Sequence, residues 1–157
     1  LQIKIYVLDC LHQKKGVIME QKKIITTVAG VIENQKGEIL CTLRDQGKYD
    51  YVSFKWEFPG GKVEIGETPH QTLSRELMEE LGIKVQIGDF FHQVEYDYPD
   101  FHLSMKLYRC KLLSHEMHMY VHKGIKWLKP EELLTLDWAP ADVEVAQKIY
   151  AEASKQK

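Results

Sequence analysis

The period of the apolar residues changes along the chain, and each change marks an element. Ile24–Ile32 (IITTVAGVI) is β-branched, nearly all apolar and bounded by polar residues, the pattern of a buried strand. Glu33–Glu38 is polar, contains Gly37 and reads as a turn; Ile39–Leu43 follows as a second strand, so the two are expected to form a hairpin. Arg44–Lys55 has no regular period and reads as an aromatic-rich loop. Trp56–Gly61 (WEFPGG) closes on a turn, because Pro59 lacks an N–H and two glycines free the backbone.

A helical period comes next. Thr68 suits the N-cap, Pro69 the first helical position, and Gln71 completes a capping box three residues after Thr68. Gly82 supplies the stop, and Leu73, Leu77 and Leu81, four apart, form a core stripe. Further strands are predicted at Val85–Val94 (interrupted by Gly88–Asp89), Phe101–Lys111 and Ile125–Leu128. Ser114–Gly124 reads as a polar connection, Glu131–Leu134 as a short helix after Pro130, and Asp142–Ala153 as a terminal helix. The chain shows no repeat, low-complexity tract or inter-domain linker.

With 157 residues, 44% of them hydrophobic and 28% charged, one globular domain with a real core is expected. The net charge of -2 supplies no basic field for a nucleic acid polymer, and no apolar run approaches a membrane span, so neither partner is expected. Leu1–Leu11 is broken by Lys4 and Asp9 and lacks a signal-peptide cleavage site. Met19 precedes a stretch that reads like a domain start, so residues 1–18 are expected to be an extension outside a domain spanning 19–157. Cys10, Cys41 and Cys110 are odd in number and lack a CxxC pair; they read as small core residues in a reducing, cytoplasmic protein.

The chemistry concentrates in Trp56–Ile83, which holds six glutamates. With Arg75 at zero on a helical wheel, Glu79, Glu76 and Glu80 fall near about 40°, 100° and 140°, and the leucines at about 160–240°. An acidic helix face is most often just solvated. Here, however, Glu76–Glu80 and Glu76–Glu79 are like-charge neighbours, they oppose the helix dipole near its C-terminus, and only Arg75 offsets them locally. A divalent cation would supply the missing charge, and carboxylate oxygens suit Mg²⁺, which also takes substrate phosphates and water. Gly60–Gly61 permit a close backbone approach, so a carbonyl there is a further candidate ligand. Together these features point to metal-assisted phosphate chemistry.

The same segment resembles the Nudix box, G-x5-E-x7-R-E-U-x-E-E-x-G-U with U aliphatic. Gly61, Glu67, Arg75, Glu76, Leu77, Glu79, Glu80, Gly82 and Ile83 fill every position. The seven fixed identities would coincide by chance at roughly one start in 10⁹, which makes the match specific. Weaker resemblance extends over Ile24–Ile149, and EFPGGK, EYDYPD and APAD look like the MutT-type nucleoside triphosphate pyrophosphohydrolases. The resemblance implies an α/β/α sandwich with a mixed sheet, and hydrolysis of a nucleoside triphosphate to monophosphate and pyrophosphate with Mg²⁺ or Mn²⁺. It implies that Glu76, Glu79 and Glu80 bind metal with the Gly60 carbonyl, one of the three being a candidate base. Arg75 would orient the glutamates, and Glu67 would brace the loop and helix, on the framework of Gly61 and Gly82. For the nucleotide it implies Arg44 as a contact, Phe58 and Tyr98 flanking the base, and Asp142 reading it.

The chain departs from this pattern in one place. The family's further acid, six residues before a late tryptophan, falls on Val121 when counted from Trp127, next to His122. Glu116 is a candidate substitute, while His115, His118 and His122 read more simply as surface polarity. An ionised Asp142 would only accept hydrogen bonds, which favours a cytidine nucleotide over 8-oxo-dGTP without excluding the latter. Asp142 also reads as an N-cap. The competing readings are a Nudix hydrolase of ADP-ribose or a dinucleoside polyphosphate, for which Pro99 speaks, and a non-catalytic Nudix-fold regulator.

Overall fold

The computed structural model describes residues 21–156; the expected extension at 1–18 and Cys10 lie outside them. Seven strands form one sheet: β1 (Lys23–Glu33), β2 (Ile39–Leu43), β3 (Trp56–Glu57), β4 (Gly60–Lys62), β5 (Val85–Asp97), β6 (Phe101–Leu112) and β7 (Gly124–Leu128). Helix α1 is Pro69–Leu81, α2 is Pro140–Ser154, and a 3₁₀ turn spans Pro130–Thr135. The order β3-β2-β1-β6-β5 carries β4 as an extra neighbour of β1 and β7 as one of β2. The β1–β6 pair is parallel and the other pairs are antiparallel, so the sheet is mixed as expected.

Strand alternation divides the core in two. Val28 and Ile32 of β1 and Leu40 of β2 face Leu73, Leu77 and Leu81 of α1. Ala29 and Val31, with Ile39 and Cys41, face Val145, Ala146 and Ile149 of α2. Successive side chains point to opposite faces, so each strand feeds both layers, and the result is the α/β/α sandwich. Leu77 is 1% exposed, and truncating it to alanine should cost about 2–5 kcal/mol. Cys41 and Cys110 are buried free thiols, each pushed up to about 12 by desolvation, consistent with core residues.

The α1 boundaries match the sequence reading: Thr68 and Gln71 close a capping box, and Gly82 ends the helix at φ 63°. The expected hairpin is only partly formed. β1 and β2 pair at Glu33–Ile39 and then diverge, β1 taking β4 and β2 taking β7 and β3. Glycine makes this possible: a Cβ on Gly60 would collide with the Val28 carbonyl and come within 2.6 Å of Ala29 Cα. WEFPGG is therefore two short strands joined by Phe58–Pro59 rather than a single turn; runs of two and three residues carry no period to read. β5 is also continuous, with Gly88–Asp89 absorbed as a bulge where the register shifts between Ile87, Phe90 and His92. α2 begins at Pro140 with Ala139 as cap, which places Asp142 inside its first turn and corrects its reading as an N-cap.

Candidate active site

A cavity of about 710 Å³ opens between these layers. Glu57, Gly60, Gly61, Glu76 and Glu80 line its acidic end, and Phe58, Tyr98 and Asp142 line the other. Arg44 borders it as well.

Arg75 organises the acidic end. Its Nε and Nη2 donate to the two oxygens of Glu67 at 2.9 and 2.8 Å, a bidentate pair. Its Nη1 donates to Glu76 at 3.0 Å and Glu79 at 3.2 Å. Hydrogen bonding from Arg75 holds the Glu67 carboxyl below its usual range, and Glu67 in turn holds the guanidinium charged. Glu67 thereby ties the loop before α1 to the middle of the helix. The glycine at 61 has a direct reason too: a Cβ there would run into the Glu76 carboxyl group. The backbone and this carboxylate thus meet with no intervening side chain.

Glu80 lies outside the reach of Arg75. Its partner is His122, whose Nε2 is 3.6 Å from Glu80 and 3.5 Å from Glu57. Burial first, then the charges of Glu76 and Glu57, push the Glu80 carboxyl up to about 7, against an opposing pull from His122. The charge deficit read from the helix wheel is therefore concentrated on one residue. The carboxylates form a wall rather than a closed cage; among the described residues no three acidic, His or Cys side chains converge as a metal cluster. An open wall suits a hexacoordinate Mg²⁺, which keeps waters and phosphate oxygens among its ligands. A crowded, partly desolvated carboxylate beside a side-chain-free backbone is a donor set that fits such a cation.

At the other end, Asp142 is 5% exposed and its Oδ1 accepts the Phe58 N–H at 2.9 Å. Burial, followed by the charge of Glu57, pushes its carboxyl from 3.8 to about 8. Burial therefore favours the protonated form, in which the carboxyl both donates and accepts, and this weakens the accept-only argument for cytidine. The Phe58 ring stacks on Trp138 at 4.6 Å and 14° and lines the cavity. Arg44 Nη1 donates to Glu57 at 2.8 Å, while its buried Nε has no partner.

Several sequence candidates lie elsewhere. Glu79 is 59% exposed along its side chain and turns to Arg75, away from the cavity lining. His115, Glu116 and His118 are exposed and line no part of the cavity, and Val121 is 55% exposed. Pro99 is exposed and also absent from the lining. His122, in contrast, has a side chain only 4% exposed, so surface polarity does not describe it. Glu57 escaped the sequence reading as a site residue. It is the last residue of β3, and its contacts with Arg44 and His122 arise only through tertiary pairing around β2.

Comparison with known proteins agrees with this geometry. The NUDIX domain model matches residues 23–150. An 8-oxo-dGTP diphosphatase of Haemophilus influenzae is 44% identical over 131 residues, covering 83% of this chain and 95% of its own. A CTP pyrophosphohydrolase of Escherichia coli is 36% identical over 141 residues, covering 82% and 93%. The crystal structure of a MutT protein from Methanosarcina mazei superposes with a TM-score of 0.75 at 25% identity, covering 84% of this chain and 96% of that one. The glycine-lined wall of α1 and a domain match running through nearly the whole described fold carry one conclusion: the chain belongs to the Nudix family, as a MutT-like hydrolase.

Proposed function

We propose that this chain hydrolyses a nucleoside or deoxynucleoside triphosphate to the monophosphate and pyrophosphate with Mg²⁺ or Mn²⁺. The observation that carries the reading is Glu80, a carboxylate crowded by Glu76 and Glu57 at the Gly60–Gly61 end of a nucleotide-sized cavity. Glu76, Glu80 and the Gly60 carbonyl would hold the cation. Glu79 belongs to the same set by its place in the box, although its carboxylate faces Arg75. A bound divalent cation neutralises phosphate charge, lowers the pKa of water and favours in-line attack. A glutamate of this set that the cation leaves free would accept a proton from the attacking water. Arg75 and Glu67 keep the carboxylates in register, and the Nε of Arg44 offers a donor to the nucleotide.

Phe58 offers an aromatic face to the base, and Asp142 a carboxyl that donates and accepts. CTP, dCTP and 8-oxo-dGTP are the candidate substrates, after the activities for which the two relatives above are named. A panel of canonical and modified nucleotides with Mg²⁺, resolving pyrophosphate from phosphate, tests the reading. Pyrophosphate is the expected product; exclusive release of phosphate, or no turnover of any triphosphate, overturns it.

A further inference from the structure

The ring of Tyr98 is already engaged. It stacks on Tyr51 at 5.1 Å and 14° and packs against Tyr96 and Phe101 at 4.6 and 4.9 Å. Tyr51 is held in turn by its hydroxyl, which donates to Asp100 at 2.9 Å. This leaves Tyr98 poorly placed to sandwich a base, the role its aromatic character suggested.

Its hydroxyl is different. Tyr98 is 3% exposed and lines the cavity, and its Oη accepts the Ala141 N–H at 3.1 Å. The hydroxyl proton has no acceptor among the described residues. A buried donor left without an acceptor is costly, so a ligand or water that supplies one is favoured. The next residue along α2 is Asp142, which also lines the cavity and whose Oδ1 takes the Phe58 N–H. Burial pushes the phenol up to about 12, so the hydroxyl keeps its proton at every working pH. Accepting an amide N–H also polarises the O–H and strengthens it as a donor.

We propose that Tyr98 is a specificity-determining residue for the nucleobase, acting through its hydroxyl as a hydrogen-bond donor beside the Asp142 carboxyl. The proposal rests on the triphosphate reading above and names the group that grips the base. The pair matches an edge with an acceptor next to a donor, such as N3 and the amino group of cytosine, or O6 and N1–H of guanine. The aromatic stack on Tyr51 positions the hydroxyl rather than contacting the base.

The test compares dCTP and 8-oxo-dGTP with 2′-deoxyribose 5′-triphosphate, which has no base. Tyr98→Phe keeps the stack and removes only the hydroxyl. It should lower kcat/KM about 10–100-fold more for the preferred base-bearing substrate than for the baseless one. An equal fall for both substrates, or no fall for either, overturns the proposal, since a structural role would not depend on the base. If the variant fails to fold, the wild-type enzyme answers with 3-deaza-dCTP, or with the 6-thio analogue where guanine is preferred. A loss of similar size is expected, and no loss overturns the assignment. If the wild type releases pyrophosphate from no triphosphate, the parent reading falls and this one with it; turnover with an unaltered Tyr98→Phe profile removes Tyr98 alone.

Discussion

The two ends of the cavity are built in opposite ways. The acidic end comes mainly from one continuous segment, Gly60 to Glu80, in which helix spacing and a single arginine set the arrangement. The base end gathers Phe58, Tyr98 and Asp142 from three distant parts of the chain and joins them through two backbone N–H groups, that of Phe58 donating to Asp142 and that of Ala141 to the Tyr98 hydroxyl. The first end is crowded with charge, and the second keeps its carboxyl neutral by burying it. The contrast suggests a division of labour: substitutions at the acidic end should change the rate for every substrate, whereas those at the base end should change which substrate is preferred.

The sharpest break is Glu80→Gln. Turnover should fall about 10³-fold for all substrates alike, read as kcat in the nucleotide panel. The same variant should melt higher than the parent in metal-free buffer above neutrality, because it removes a buried charge from beside Glu76 and Glu57. Gly61→Ala comes next. Its methyl group would displace the Glu76 carboxyl, and a loss of about 10²-fold in kcat is expected with the preference among bases unchanged.

At the base end, Asp142→Asn should leave baseless turnover intact and shift the ratio of kcat/KM between dCTP and 8-oxo-dGTP by about tenfold. It also has a pH signature. Burial raises the folded-state pKa of Asp142 from 3.8 to about 8, so its stabilising contribution is complete below about pH 4 and is lost as pH rises through 8. The decline in Tm between about pH 4 and 8 should therefore be shallower in Asp142→Asn, as measured by thermal melts across that range. The smallest effect belongs to Glu116→Gln. Exposed and outside the cavity lining, Glu116 should leave both rate and Mg²⁺ dependence untouched; a raised Mg²⁺ requirement would place the missing acid there after all.

The sequence by itself determined the local features. Thr68, Pro69, Gln71 and Gly82 bound α1 because caps act through backbone groups three or four residues away. The leucine stripe and the acidic arc followed from the same 3.6-residue repeat, so the acidic wall was legible from the sequence. Only tertiary structure decided the rest. Glu57 meets His122 and Arg44 through strand pairing, and no spacing encodes that meeting. The upward shift of the Asp142 carboxyl comes from burial in the packed fold, which its residue type alone does not encode. The Tyr98 ring stacks on Tyr51 and its hydroxyl accepts the Ala141 N–H, contacts between segments that no sequence spacing connects. Helical neighbours are fixed by covalent distance, whereas desolvation and cross-chain contacts are properties of the packed whole.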